Sequence, residues 1–186
     1  MNRIAVSALA VALTVGLTAG CSTDEEPATA TALSELCIPW NDYLVNELHI
    51  AGVTGGTQDP RFKMEKGGVG HRTCTFDWPG SGGMAASLFE DKDSKLPPAE
   101  RERVRTDNAN VKTGQGYRQV DGYGYPTWVY DRRPGAQEVS EVRVEVYLND
   151  HVAGFDIGQS PAESMTDEQL ANTIRFTILL AEKLTR

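Results

Sequence analysis

Three cysteines and three histidines are the side chains in this chain of 186 residues that are best suited to chemistry. Zinc sites set histidines at spacings such as H-x-x-x-H or H-E-x-x-H, which put two ligands on one face of a helix. His49, His71 and His151 match neither spacing. His49 is expected at a helix end, and His71 and His151 in turns, all solvated. No G-x-S-x-G occurs, so a nucleophile elbow has no support. Ser81 stands among glycines between Gly80 and Gly83, where turn chemistry explains it. Gly114-Gln115-Gly116 lacks the third glycine of a dinucleotide loop. Glu90-Asp91-Lys92-Asp93 begins like a calcium loop, but it lacks the third ligand position and the mid-loop glycine, and its lysines repel a cation. With 26 acidic residues, accidental carboxylate pairs are expected, so a paired-carboxylate hydrolase stays open without a motif to carry it. No cofactor and no metal is expected.

Cys37 and Cys74 have two readings. As a catalytic thiol, either would need a histidine brought beside it by the fold. As a pair in an exported chain they would form a disulfide, which persists in an oxidising compartment. A bridge closing about 38 residues stabilises by roughly 4 kcal/mol on the chain-entropy estimate. The bridge is the expectation, because exported thiols oxidise.

The third thiol, Cys21, ends the stretch Leu17-Thr18-Ala19-Gly20-Cys21. Ile4 to Ala19 carries no charge and follows a single cation at Arg3. That run falls short of the roughly 20 apolar residues of a membrane span and suits the core of an export signal. A plain secretory signal closes on an A-x-A-like site. Here small residues lead into a cysteine, which resembles the bacterial lipobox. The resemblance implies a diacylglycerol thioether on Cys21 and cleavage just before it, with residues 1–20 as the signal peptide. Thr18 departs from the pattern, which usually has leucine there. A soluble protein cut after Ala19 and an uncut amino-terminal anchor are the alternatives. One acyl chain holds a protein only marginally, at roughly 0.8 kcal/mol per buried CH₂, whereas two make a stable anchor. The expected location is therefore the extracytoplasmic face of the cell membrane.

Charge narrows the partners. The formal net charge is −8, and removing Arg3 with the signal leaves the mature chain more acidic still. An acidic surface argues against nucleic acid and against a polybasic grip on anionic lipid.

The elements that would position these groups follow from periodicity. Ser22 to Thr31 is polar, with no large apolar residue, and residues 21–32 read as a flexible tether. The remainder, residues 33–186, suits one domain able to close its own core. Leu33, Leu36, Cys37, Trp40, Leu44 and Leu48 step by three and four, an amphipathic helix. Pro39 predicts a break near Ile38, with the main helix running from about Pro39 to His49. Cys74 to Trp78 and Met84 to Phe89 flank a Pro79-Gly80 turn as a hairpin. Glu90 to Asn110 reads as a solvated excursion, with an exposed helix over Pro98 to Arg105. Val142, Val144, Val146 and Leu148 alternate with polar residues, the clearest strand in the chain. Asn149-Asp150 predicts a hairpin turn, and His151 to Ile157 the returning strand. Thr166 and Gln169 form a capping box ahead of an apolar stripe at Leu170, Ile174, Ile178 and Ala181. The expected fold is α+β: an antiparallel sheet with an N-terminal and a C-terminal helix packed on one face.

Leu36-Cys37 opening a helix, Cys74-x-x-x-Trp78 opening the sheet, aromatics around Gly122-Tyr123, a valine-rich strand and an amphipathic last helix follow in order. That order resembles the actinobacterial lipoproteins of the DUF3558 family. The resemblance implies an envelope address and two cysteines, and it supplies no catalytic residue. The Pro39-Trp40 pair and the loop from Glu90 to Asn110 depart from it.

The aromatic segment is the candidate surface. Tyr123, Tyr125, Trp128 and Tyr130 are types enriched where proteins or sugars bind. Trp128 is expected to pack between sheet and helix. Tyr123 and Tyr125, beside Gly124 and Pro126 in an expected turn, remain open between core and binding surface. The expected function is a non-enzymatic, lipid-anchored binding or accessory domain of the envelope, its protein or small-molecule partner unidentified. A carrier of a lipid or hydrophobic molecule is the alternative, and an envelope hydrolase the third.

Overall fold

A computed structural model describes residues 28–58, 72–80, 82–133, 140–158, 162 and 164–186; Cys21 and His71 lie outside them. The chain runs α1 (Ala28–Asn46), β1 (Thr54–Gln58), β2 (Arg72–Trp78), β3 (Gly82–Glu90), a 3₁₀ turn (Lys92–Lys95), α2 (Pro98–Gly114), β4 (Arg118–Val120), β5 (Thr127–Arg132), β6 (Glu141–Tyr147), β7 (His151–Gly158) and α3 (Asp167–Thr185). The strands form one seven-stranded sheet in the order β1-β2-β3-β7-β6-β5-β4. Every pairing in it is antiparallel.

Period-two alternation gives the sheet two unlike faces. One face carries Cys74, Phe76, Met84, Ala86, Leu88, Val129, Val142, Val144, Val146, Phe155 and Ile157, all buried. Helices α1 and α3 cover this face and touch each other, α1 over β1 and β2, α3 over β7. Trp40 of α1 sits at the junction, its ring centroid 5.7 Å from Phe155 and 4.8 Å from Phe176 of α3. Tyr43 stacks on Phe176 at 4.2 Å, and its hydroxyl lies 3.1 Å from Thr173 Oγ1. The expected α+β arrangement, with both terminal helices on one face, is the one observed. The layer between helices and sheet is filled by large side chains: Trp40, Leu44, Phe76, Ile157 and Ile174 are each under 3% exposed.

Helix α3 begins as the sequence predicts. Thr166 Oγ1 accepts from Gln169 N at 3.1 Å, and Gln169 Oε1 accepts from Thr166 N at 2.9 Å. Both hairpins also form, with Trp78 opposite Gly82 and Tyr147 opposite Val152.

Helix α1 departs from expectation. It starts ahead of Leu33, passes through Pro39 without the break expected near Ile38, and ends at Asn46 rather than His49. An interior proline costs about 3 kcal/mol. Burial of Leu36, Cys37, Trp40 and Leu44 on one stripe offsets that, as does the bridge from Cys37 to Cys74 of β2, with Cα atoms 5.5 Å apart. His49 then turns the chain with φ 55, in the left-handed region. No helix among the described residues is long and apolar enough to cross a membrane.

Candidate functional site

The second face of the sheet carries no packed terminal helix, and its residues fall into cross-strand rows. One row joins Gln119, Trp128, Glu145, Gly154 and Ser87 through successive pairings. The next joins Tyr130, Arg143, Asp156 and Ala85. A third joins Tyr147, Val152 and Phe89. The faces differ because β6 alternates valine with Arg143, Glu145 and Tyr147, and the neighbouring strands follow its register. Small residues floor the middle. At Gly154 a Cβ would stand 2.5 Å from the Val144 carbonyl oxygen, so only glycine fits there. An open depression of about 250 Å³ lies over Ala85, Ser87 and Gly154, bordered by Tyr117, Arg143 and Asp156.

Trp128 belongs to this second face. It is half-buried and does not pack between sheet and helix as expected, because Thr127 and Val129 take the core positions on either side of it. Helix α2 overhangs the same face. It is longer than the exposed helix expected over Pro98 to Arg105, and none of its residues is buried. Polar clasps at its ends hold it. At the first end, Arg101 Nη2 donates to the carbonyls of Ser94 at 2.6 Å and Leu96 at 3.0 Å. At the last end, Lys112 Nζ donates to Glu145 Oε2 at 2.5 Å and lies 4.8 Å from the ring centroid of Tyr117 and 5.6 Å from that of Tyr147. The Lys112 side chain is only 11% exposed.

Between the clasps is a cleft of about 320 Å³. Glu102, Arg105 and Asn108 line it from α2, Gln119, Trp128 and Tyr147 from the sheet, and Asp91 and Asp93 from the 3₁₀ turn. Part of its hydrogen-bonding capacity is already committed. Lys112 is neutralised by Glu145. Asp91 Oδ1 accepts from Asp93 N at 3.0 Å, capping the 3₁₀ turn. Tyr147 donates to Glu145 Oε2 at 3.1 Å, and burial, followed by the Glu145 charge, pushes its hydroxyl well above the usual tyrosine range. It therefore stays a donor at any physiological pH. The side chains of Asp93, Glu102, Arg105, Asn108 and Gln119 make no hydrogen bond or ion pair among the described residues.

A second polar cluster occupies the neighbouring row. Arg143 bonds Glu141, and its Nε lies 3.1 Å from Asp156 Oδ2. Burial raises the Asp156 carboxyl above its usual range, against the pull of Arg143. A third cluster staples β5 to α3: Arg133 bonds Asp131 at 2.6 Å, Asp167 at 2.7 Å and the Met165 carbonyl at 2.7 Å.

Tyr123 and Tyr125 lie elsewhere. The structure sets both in the β4–β5 turn, half-buried against the helix side of the molecule. Tyr125 donates to Glu182 Oε1 of α3 at 2.8 Å, and Arg175 lies 5.9 Å from the Tyr123 ring. They fasten the turn to α3, and neither reaches the cleft. Cys37 and Cys74 are joined in a disulfide, which leaves neither thiol free for catalysis.

His151 corrects another expectation. It is buried rather than solvated, because β7 begins there, opposite Glu90. Its Nδ1 stands 2.7 Å from Asp150 Oδ1, and Nε2 has no hydrogen-bond partner among the described residues. Among the described residues no group of three or more histidine, cysteine, aspartate or glutamate side chains is placed to hold a metal ion. Sequence reasoning missed the cleft. The signal that reveals it is register: once β5 pairs with β6, Trp128 must share a face with Glu145 and not with Val144. No protein-family model, curated protein or solved structure matches this chain.

Proposed function

We propose that this chain is a lipid-anchored binding or accessory domain on the extracytoplasmic face of the bacterial cell membrane, without enzymatic activity, and that the cleft beneath α2 is its binding surface. The carrying observation is α2 itself. It is a helix of 17 residues that buries none of them and hangs over the sheet by polar clasps at its ends. Such a helix adds no apolar core, so its retention is explained by the surface it makes with Trp128. The envelope address rests on Leu17 to Cys21, on an order of motifs that resembles the DUF3558 lipoproteins, and on the disulfide, which suits an oxidising compartment. A carrier of lipid would need an apolar cavity between helices and sheet, and that layer is filled.

Two measurements test the proposal. Metabolic palmitate labelling should mark the protein and be lost in Cys21→Ser; a label that survives the substitution removes the anchor. Affinity purification of the anchored protein from its own envelope should retain a partner that is lost when the cleft is blocked. Recovery of the lipid-processing machinery alone would remove the binding role.

A further inference from the structure

The cleft has a chemical preference. Trp128 is half-exposed in it, next to Gln119 across the β4–β5 pairing, and Tyr147 extends the aromatic wall. Around them stand the carboxylates of Asp93 and Glu102, the amides of Asn108 and Gln119, and the guanidinium of Arg105. Each of these is a flat group offering two hydrogen-bonding positions along one edge, the arrangement that meets a pair of neighbouring hydroxyls. The fold uses none of the five for itself among the described residues. Donors and acceptors are both present. With Lys112 paired to Glu145, three carboxylates, Asp91, Asp93 and Glu102, face one guanidinium, and Asp91 already accepts one backbone hydrogen bond. That excess of negative charge disfavours an anion, and the mixed amide, carboxylate and guanidinium edges beside an aromatic wall suit an uncharged polyol, which can meet donors and acceptors alike. The indole supplies a flat surface for the C–H face of a sugar ring. A volume of about 320 Å³ lies at the small end of ligand sites, enough for a short saccharide.

Resting on the binding-domain reading, we propose that the cleft beneath α2 binds a neutral saccharide, with Trp128 as the stacking platform and Glu102, Asn108 and Gln119 as the groups that bind its hydroxyls. A free oligosaccharide and a segment of an envelope polysaccharide offer the same hydroxyl pairs.

The test uses the full lipidated chain in a detergent without a sugar headgroup. The probes are neutral oligosaccharides (glucans, mannans, galactans and arabinans), with uronic-acid and amino-sugar counterparts alongside. Trp40 and Trp78 are 1% and 7% exposed, so acrylamide quenching of tryptophan fluorescence reports on Trp128. At least one neutral oligosaccharide should shield Trp128. Trp128→Ala should weaken its binding, measured by calorimetry, about tenfold or more, and Glu102→Ala and Asn108→Ala about threefold or more each. Circular dichroism checks the folding of Trp128→Ala, and the two α2 substitutions are on exposed positions outside the core. Binding should change little with added salt. Co-sedimentation with insoluble cell-wall polysaccharide separates the two sources: retention on the polymer selects the envelope chain, and its absence selects the free sugar. Failure of every neutral sugar to shield Trp128, binding that survives Trp128→Ala, or a preference for amino sugars that salt abolishes would each overturn the saccharide. The binding reading would stand through any of these if the cleft still captured a partner in the envelope, and would fall with the saccharide if it did not.

Discussion

Lys112 holds the cleft shut at one end. Its ammonium pairs with Glu145 and lies over two tyrosine rings, in a site only 11% exposed. Lys112→Ala should therefore lower stability by about 1–2 kcal/mol in urea denaturation, discounted because Glu145 is a third exposed. The more telling readout is amide exchange. Exchange in α2 should quicken severalfold in this variant while α3 is unchanged, and equal protection of α2 with and without the substitution would mean that α2 is held some other way. Asp131 gives a pH test. A hydrogen bond from Arg133 holds its carboxyl below the usual range. Its stabilising contribution is thus complete above the unfolded value of about 3.9 and is lost as pH falls through the lower folded value. Asp131→Asn should cost about 1–2 kcal/mol at about pH 7 and flatten the loss of stability below about pH 4. Asp156 acts in the opposite sense: burial raises its carboxyl, so protonation on the way down in pH favours the fold. At this scale the sequence was readable where counting sufficed. Cys37 and Cys74 were the pair left over once Cys21 was assigned, and they are joined. Trp128 was not readable, because its face depends on pairing with a strand more than a dozen residues away.

The elements were more legible than their ends. Strong periodicity placed β6, β7 and α3, and the capping box at Thr166 fixed where α3 starts. Pro39 misled, because a local rule about proline met a tertiary arrangement that outweighs it. The disulfide is part of that arrangement. Replacing both Cys37 and Cys74 by serine should lower stability by about 4 kcal/mol, read as a lower midpoint in denaturant. A loss under about 1 kcal/mol would mean that packing alone carries α1 through the proline. The extent of α2 was hidden for a different reason. Its composition is polar all round, and such a segment gives no apolar stripe from which to count turns.

The whole molecule divides its labour between two faces of one sheet. One face is closed by α1 and α3 over a filled core, tied by the Cys37–Cys74 bridge and by Arg133. The other carries the small-residue floor, the Arg143 cluster and the cleft under α2. Architecture followed from the pattern of elements, whereas the site required the register of the sheet, which no single strand contains. A photoreactive residue placed at Ala109, inside the cleft, and another at Leu179, 66% exposed on α3, compare the two sides in the anchored protein within its own envelope. Position 109 should capture a partner or glycan, and Trp128→Ala should abolish the adduct. Adducts at position 179 with none at 109 would contradict the assignment of the cleft as the binding surface.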